Sequence, residues 1–351
     1  MIFLGDTVFP VSYKDSIIDI DDREFLQERK IANFESLIDV GDNLTKKETR
    51  GIALYSSSDI IEFLRKLNIV AGSLANNHIT DFNISIEFQK ELYRKKGISA
   101  FGAGENITEA SIPYFYEEDG LKFLVVSFGW KVIGCKHAGP TSGGVNPLEY
   151  KNILSQLHLL SNLYPDHKII LVFHWNYEFE LYPQPAHRKL AFDLIDEGVE
   201  AIFGHHSHIV QGFEIYKNKP IFYGLGNFFL PEKHFFGKDK WPISSKMGIS
   251  IKYVPDLEKI KVFWTQHKTD GTISLVDSDL LLNSKRLIEL SSFQGQNHSE
   301  YSKWFKTNRI KKTMLPVYYD YNNQTESFIK DSYNSLRQDI VYLLLKLFNK
   351  L

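Results

Sequence analysis

Short apolar runs alternate along the chain with longer segments in which apolar residues recur every three or four positions. The short runs predict strands, and the longer period predicts amphipathic helices. Strands are expected at residues 2–4, 31–35, 69–71, 99–101, 121–128, 168–173, 199–203 and 220–223, and helices at 58–67, 84–96, 148–163 and 186–197. Strands that alternate with helices are typical of folds in which helices cover a largely parallel sheet. The predicted fold class is therefore α/β.

The last third of the chain follows a different pattern. Two strands joined by a turn are expected at residues 247–254 and 259–267, one or two helices between 283 and 312, and an amphipathic helix over 326–351. The apolar side of that last helix carries Leu336, Ile340, Leu343, Leu344 and Leu347. We expect it to dock on the rest of the protein or on a partner subunit; peripheral binding to a membrane or an assembly complex is the alternative. This pattern predicts a main domain over residues 1–270 and a mostly helical extension over 271–351 packed on it.

The composition excludes several classes of protein and several kinds of metal site. The chain has 351 residues, 43% hydrophobic and 24% charged, and its net charge of −2 gives no electrostatic basis for binding nucleic acid. Its one cysteine, Cys135, excludes an intrachain disulfide and a zinc site built from several thiolates. No apolar run approaches the ~20 residues that span a bilayer, and the N-terminus does not resemble a secretory signal. We therefore expect a cytoplasmic protein, unless an export segment precedes this sequence.

Three histidines within five residues follow the predicted strand 199–203, in the run Gly204-His205-His206-Ser207-His208. Neutral imidazole is a favoured ligand of Zn, Mn, Fe and Ni, and the spacing of His206 and His208 allows a turning backbone to aim both rings at one point. The alternative is a group of solvated loop histidines. Oxygen ligands elsewhere in the chain would favour the metal site.

Polar side chains also lie at the ends of several other predicted strands. These residues are Asp6, Glu35, Asn77, His78 and His174. Because ligands collect at the carboxyl ends of strands in α/β sheets, residues far apart in sequence can converge there. Each has an alternative as a cap or turn residue, but their repeated placement favours a shared metal site. The run Gly102-Ala103-Gly104 lacks the rest of a dinucleotide fingerprint and is interpreted as a turn between a strand and a helix.

The motifs also occur in an order typical of one family. They are Gly5-Asp6, Asn33-Phe34-Glu35, Asn76-Asn77-His78 with Asp81, Gly102-Ala103-Gly104, His174-Trp175 with Glu178, Gly204-His205-His206-Ser207-His208 and Gly224-Leu225-Gly226-Asn227-Phe228. In this order they resemble the CapA family of capsule and poly-γ-glutamate biosynthesis, which is similar to the calcineurin-like metallophosphoesterases. The resemblance covers residues 1–255, most specifically the segment 173–229, and implies a four-layer α/β/β/α sandwich with a two-metal centre at its rim.

The resemblance also implies a role for each motif. The implied metal ligands are Asp6 and His208 for the first ion, Asn77, His174 and His206 for the second, and Glu35 as the bridge between them. One or two ions of Mn, Fe, Zn or Ni would activate a water, and His78, oriented by Asp81, would protonate the leaving oxygen. Residues expected near the substrate are Asn33, Asn76, Trp175, Glu178, Arg188, His205 and Asn227. Alternatives remain for three of them: core packing for Trp175, a solvated helix position for Arg188 and a turn for Asn227.

Four positions depart from the family pattern. Val8 occupies the place of the histidine in Asp-x-His, so the first ion lacks one ligand unless His205 or another group replaces it. Glu35 stands where an aspartate is usual, and Asn176 and Phe179 replace Gly and Tyr. Two functions therefore stay open: a metal-dependent hydrolase or transferase in cell-surface polymer synthesis, or a non-catalytic polymer-binding component with the same fold. The expected substrate is an anionic polymer or a phosphorylated small molecule, and the oligomeric state is not predicted.

Overall fold

A computed structural model describes residues 1–10, 18–41, 45–47, 52–238, 240–268, 271–310, 315–321 and 323–347. Its strands are, in chain order, β1 (Ile2–Thr7), β2 (Ile18–Asp19), β3 (Lys30–Phe34), β4 (Leu37–Ile38), β5 (Tyr55–Ser56), β6 (Ile69–Ser73), β7 (Ser99–Phe101), β8 (Ala103–Gly104), β9 (Tyr114–Glu118), β10 (Leu121–Gly129), β11 (Gly144–Val145), β12 (His167–His174), β13 (Ala201–His205), β14 (Phe213–Tyr216), β15 (Lys219–Phe222), β16 (Asn227–Phe229), β17 (Met247–Lys252), β18 (Lys261–His267) and β19 (Ile273–Leu280). Its helices are α1 (Arg23–Gln27), α2 (Ile60–Lys66), α3 (Ile86–Arg94), α4 (Ile107–Ala110), α5 (Tyr150–Leu163), α6 (Pro185–Asp196), α7 (Glu232–Phe236), α8 (Lys285–Leu290), α9 (His298–Asn308) and α10 (Gln324–Leu347).

Two large sheets organise the described part of the chain. One has the strand order β2-β19-β18-β17-β1-β3-β6-β7, with β16 also paired to β1, and the other has the order β14-β15-β13-β12-β10-β9. The strands β1, β3, β6 and β7 run parallel to one another, as do β10, β12, β13 and β15. Parallel strands have their carboxyl ends at the same edge, so each sheet presents one edge where functional loops gather.

The two sheets stack face to face. Alternate residues of β10 and β12 point inward, and these buried side chains meet those of β1, β3, β17 and β18 in one apolar layer. The rings of Phe3 and Phe203 stack across this layer with centroids 4.0 Å apart and an interplanar angle of 7°. This contact joins the centre of one sheet to the centre of the other.

Helices cover the outer face of each sheet. Apolar residues of α1, α2 and α3 pack on the first sheet, and those of α5, α6 and α9 pack on the second. The order of layers is therefore helix, sheet, sheet, helix, which confirms the predicted four-layer α/β/β/α sandwich. No helix of the described residues combines the length and the apolar character needed to cross a membrane.

The elements predicted over residues 1–267 are all present, with ends shifted by a few residues. Several strands were not predicted; these are β2, β4, β5, β8, β9, β11, β14, β16 and β19. Two of them, β9 and β14, lie at the edges of the second sheet, and β8, which pairs with β11, lies in the run that was interpreted as a turn between a strand and a helix. β19 pairs with β18, so the first sheet continues past residue 270, where the sequence had placed a domain boundary. Helices α8 and α9 lie within the predicted 283–312 helical segment, and α10 begins at Gln324; residues 348–351 of the predicted final helix lie outside the described residues.

Candidate metal centre

The candidate ligands come from strands of both sheets. Asp6 lies near the end of β1, and Glu35 follows β3 directly. His174 ends β12 and pairs with His205 at the end of β13, so that His206 lies just beyond this sheet edge. The stacking of the two sheets brings these ends to one rim, although the residues are separated by up to ~200 positions in sequence.

Two glycines allow the backbones to approach closely at this rim. A Cβ atom at Gly204 would lie 2.0 Å from the carbonyl oxygen of Tyr223, and one at Gly5 would lie 2.1 Å from that of Gly226. Beyond Gly204 the chain turns sharply: His206 has φ 85° and His208 has φ 55°, in the left-handed region that costs energy for a residue with a side chain. Such strain is typical of positions where surrounding structure must hold a side chain in one direction.

The side chains form two groups of donor atoms that share one carboxylate. One group is Asp6, Glu35 and His208, and the other is Glu35, His174 and His206, with the donor atoms of each group within 4.8 Å of one another. The sixth predicted ligand, Asn77, places its Oδ1 2.7 Å from Nε2 of His174. Glu35, which the sequence assigned as the bridge between two ions, is the residue that the two groups share. Binding of ions by these residues stays a prediction.

Buried atoms without partners show that the group fits a cation. Both carboxylate oxygens of Glu35 and Nδ1 of His206 are buried and have no hydrogen-bond partner among the described residues. Burial, together with the nearby Asp6 carboxylate, raises the pKa of Glu35 to about 8. Burial lowers the pKa of His174 and of His206 well below the usual value, which keeps both rings neutral and able to donate a lone pair. A divalent cation would be a partner for these oxygens and nitrogens, in place of the weaker contact between Oε1 of Glu35 and Nε2 of His174 at 3.3 Å.

Asp6 is stabilised as a carboxylate. Burial alone would raise its pKa, but hydrogen bonds from His205 and His208 hold the pKa well below the usual value. Asn33 Nδ2 donates to Asp6 at 2.8 Å, His205 Nδ1 donates at 3.1 Å, and the backbone N–H of His206 donates at 3.2 Å. The Asp6 carboxylate is therefore held in one orientation by several donors.

Four residues that the sequence placed near the substrate lie behind the ligands instead. Besides Asn33 and His205, Asn76 donates to the carbonyl oxygen of Phe34 at 2.8 Å, and Asn227 accepts a 2.9 Å hydrogen bond from Nδ1 of His208. All four are buried. Their contacts orient the ligands and their backbone, a role that residues behind a metal site commonly have.

The predicted acid and its partner are adjacent. His78 Nδ1 donates to Asp81 Oδ2 at 2.7 Å, and the same oxygen accepts the backbone N–H of Leu54 at 2.9 Å. The Nε2 atom of His78 lies 3.0 Å from Nδ2 of Asn77, beside the candidate ligands. Burial would lower the pKa of His78, but the Asp81 carboxylate raises it above the usual value.

A cavity of about 620 Å³ opens beside these residues. Its polar side includes Asn77, His78, Asp81, Glu178 and His208, so the predicted Glu178 does face the cavity. The lining also includes apolar and aromatic residues and one face of α10; these residues are Leu230, Phe235, Phe236, Trp241, Arg337, Gln338, Val341 and Tyr342.

Sequence reasoning did not place Trp241 or α10 at the cavity. The ring of Trp241 stacks on that of His208 with centroids 4.6 Å apart. Nothing in the sequence around Trp241 marks it as part of a site. The sequence predicted that the last helix docks through its apolar side, but the five residues of that side are exposed: Leu336, Ile340, Leu343, Leu344 and Leu347. Helix α10 lines the cavity with a different strip of its surface, so docking of the apolar side on a partner subunit or a membrane stays a prediction.

Two predicted residues are not brought to the cavity. Trp175 is fully buried and donates from Nε1 to the carbonyl oxygen of Tyr223 at 2.8 Å, in agreement with the packing alternative. Arg188 is only 2% exposed, and its guanidinium donates two 2.7 Å hydrogen bonds to the carboxylate of Glu214. A substrate clamp would need a free guanidinium that faces the cavity. Arg188 is neither such a clamp nor a solvated helix residue, so both predicted alternatives are wrong.

Residues 21–232 match the family model described as bacterial capsule synthesis protein PGA_cap. The match covers more than half of the chain. The chain belongs to this family. The matched segment of this chain contains all the predicted metal ligands except Asp6, which lies before the segment, on β1.

Two bacterial relatives are similar over the same part of the chain. The capsule biosynthesis protein CapA of Bacillus anthracis is 26% identical over 200 residues, 56% of this chain and 49% of that protein. The PGA biosynthesis protein CapA of Bacillus subtilis is 25% identical over 201 residues, 56% of this chain and 51% of that protein. The chain spans about half the length of these curated relatives.

Among solved structures, a 5′-nucleotidase precursor of Thermus thermophilus is 12% identical, with a TM-score of 0.34 over 65% of this chain and 44% of that one. At this level the likeness adds nothing to the layer order that the chain itself shows.

Proposed function

We propose that this member of the family is a metal-dependent hydrolase that cleaves a phosphoester or amide bond during the synthesis of an anionic cell-surface polymer. The observation that carries the proposal is the pair of donor groups that share Glu35, whose two buried oxygens have no hydrogen-bond partner among the described residues. The names of the two Bacillus relatives, which refer to capsule and PGA biosynthesis, support the biological context.

The donor set determines which residues would hold cations. Asp6 and His208 would hold one ion, His174, His206 and Asn77 a second, and Glu35 both. This mixture of imidazole, carboxylate and amide oxygen suits Mn, Fe, Zn or Ni. Two such ions, when bound, stabilise the charge that develops on the substrate oxygens and lower the pKa of a water.

The remaining steps belong to side chains of the chain itself. The hydrogen bond to Asp81 engages Nδ1 of His78 and fixes the orientation of the ring. In the structure Nε2 accepts a hydrogen bond from Nδ2 of Asn77 at 3.0 Å. Nε2 would pass a proton to the leaving oxygen, as a general acid, once the ring is protonated and this contact is released. Apolar residues that line the cavity, including Phe236 and Trp241, would exclude water from part of the surface of a bound substrate.

One observation favours a non-catalytic binding component as the second candidate. Val8, at the histidine position of Asp-x-His, is fully buried in an apolar cluster with Leu54 and Leu230. It cannot donate a lone pair, so the group around Asp6 has one fewer ligand than the family pattern implies. Binding of a single ion at His174 and His206, without turnover, would follow if that group does not hold a metal.

The test combines metal content with turnover. The full chain is purified, loaded with Mn²⁺ and examined by plasma mass spectrometry, and hydrolysis of p-nitrophenyl phosphate and bis(p-nitrophenyl) phosphate is followed by absorbance. We expect up to two ions per chain, and we expect His206→Ala to lose bound metal and to lower the rate by at least about 100-fold. His158→Ala is the matched control, since this imidazole is 65% exposed and pairs with Glu197 away from the cavity.

The outcomes separate the two candidates. Turnover that depends on His206 but not on His158 supports the hydrolase. Bound metal without turnover of either ester, or of a γ-glutamyl p-nitroanilide as the amide probe, supports the binding component. Equal metal content and equal rates in wild type and His206→Ala would overturn the assigned centre.

A further inference from the structure

One face of α10 forms part of the cavity beside the candidate metal centre. Four residues of this helix line it: Arg337, Gln338, Val341 and Tyr342. Their spacing places them side by side on one strip of the helix surface. Because the family match ends at residue 232, this part of the cavity is contributed by a segment outside the matched region.

Hydrogen bonds hold this face of α10 in place. Asn334 Nδ2 and Gln338 Nε2 both donate to the carbonyl oxygen of Val132, at 3.1 and 3.3 Å. Val132 lies in the short turn after β10, and the next two residues, Ile133 and Gly134, line the same cavity. Arg337 directly precedes Gln338 and lies about one turn after Asn334, so these two hydrogen bonds hold the backbone that carries it.

Arg337 is the one lysine or arginine among the described residues that line this cavity. It is half-buried, and its Nε is buried without a hydrogen-bond partner in the described part of the chain. A buried donor on a charged group costs free energy unless an acceptor reaches it. The planar guanidinium is suited to a carboxylate or phosphate oxygen pair, which would satisfy this donor.

We infer that Arg337 binds a second anionic group of the substrate, a carboxylate or a phosphate, while the bond to be cleaved lies at the metal centre. This inference rests on the proposed function, because it takes the metal centre as the site of the first group. The cavity then selects substrates with two anionic groups over those with one. A polymer with repeated acidic groups and a small molecule with two phosphates both meet this requirement.

The test measures binding without turnover. Three phosphonates with the same butyl chain, which cannot be hydrolysed, are titrated calorimetrically into the Mn²⁺-loaded full chain: butylphosphonate, 4-phosphonobutyrate and 1,4-butanebisphosphonate. Longer homologues extend the series to vary the reach from the metal centre. The variants are Arg337→Gln and Arg337→Lys, with Arg65→Gln as the matched control, because Arg65 is an exposed α2 arginine, 53% accessible, outside this cavity.

We expect wild type to bind at least one compound with two anionic groups at least about tenfold more tightly than butylphosphonate, consistent with a charge-assisted hydrogen bond. Arg337→Gln removes this preference without changing the affinity for butylphosphonate, Arg337→Lys retains part of it, and Arg65→Gln leaves all affinities unchanged. Preference for the carboxylate identifies an acidic polymer as the source of the second group, and preference for the second phosphonate identifies a phosphorylated molecule.

Two results overturn the inference: no preference in wild type for a second anionic group at any chain length, or an unchanged preference in Arg337→Gln with normal circular dichroism. In both cases the proposed function stands if metal binding and ester hydrolysis still depend on His206. Absence of bound metal in wild type would instead overturn the proposed function.

Discussion

Removal of the Glu214 carboxylate is expected to destabilise the protein strongly, because it leaves Arg188 buried without its counter-ion. Glu214 accepts two 2.7 Å hydrogen bonds from Arg188 and a third, at 2.8 Å, from the hydroxyl of Tyr223. Both partners of the ion pair are nearly inaccessible, with side-chain exposures of 3% and 4%. The rings of Phe192 and Tyr301 each lie 4.7 Å from the guanidinium and complete its enclosure.

The magnitude follows from what remains after Glu214→Ala. Arg188 keeps one 2.7 Å hydrogen bond, to the carbonyl oxygen of Gln296, and loses its compensating charge. Breaking a buried pair in this way costs about 3–5 kcal/mol. Replacing both partners with apolar residues, in Arg188→Met with Glu214→Leu, removes the uncompensated charge and is expected to recover most of that loss. An exposed pair, Arg65 and Glu62, serves as the control, and Glu62→Ala should cost less than about 1 kcal/mol.

Urea unfolding followed by tryptophan fluorescence and by circular dichroism gives the free energies of unfolding. The reasoning is refuted if Glu214→Ala costs less than about 1 kcal/mol, within the range of an exposed pair, or if the double variant is less stable than Glu214→Ala. The same proteins test the sequence-based hypothesis for Arg188. Since its guanidinium faces Glu214 and not the cavity, the folded double variant should bind butylphosphonate with wild-type affinity.

Three further predictions follow from other contacts. Gly204→Ala should lower both stability and bound metal, because its Cβ would lie 2.0 Å from the carbonyl oxygen of Tyr223; a variant with normal metal content and an unchanged unfolding midpoint would contradict this. His78→Gln should lower ester hydrolysis by about 10²–10⁴-fold with bound metal unchanged, and an unaltered rate would exclude His78 as the acid. Burial lowers the pKa of Lys30 to about 7, from an unfolded value near 10.5, so between these pH values the unfolded chain binds more protons and stability rises with pH. The free energy of unfolding of wild type, relative to that of Lys30→Met, should therefore rise from pH 7 to 10 by up to about 4 kcal/mol, at ~1.36 kcal/mol per pH unit. A difference between the two proteins in urea unfolding that stays constant over this pH range would contradict the assignment.

Much of the fold follows from local sequence pattern. The period of apolar residues reports which side of a strand or helix is buried, and this local information was sufficient for the central strands of both sheets. Edge strands were missed for the same reason. In β9, exposed Phe115 and Glu117 alternate with more buried neighbours in a charged setting, and little in such a short segment distinguishes it from a loop.

The candidate ligands were also predictable, since strand ends in an α/β fold share one edge and the residue types suit a metal. What the sequence could not show is which residues point into the cavity and which lie behind it. Asn33 and Asn227 resemble substrate contacts in sequence, yet both are buried against ligands. Their orientation depends on the register of β1 with β3 and β16, which only the folded sheet defines.

Arg188 and Arg337 show the same limit of sequence-based prediction: the first was predicted at the site but lies elsewhere, and the second was not predicted but lines the cavity. Arg188 lies close to the predicted site in sequence but packs against Glu214 on β14, a strand that sequence pattern did not predict. Arg337 lies more than 100 residues after the family match, yet α10 places it in the cavity. Local sequence determines which segments form helices and strands and which chemical groups they carry. Tertiary packing decides which of those groups meet, because contacts between distant segments depend on how whole layers stack and not on the period of any one segment.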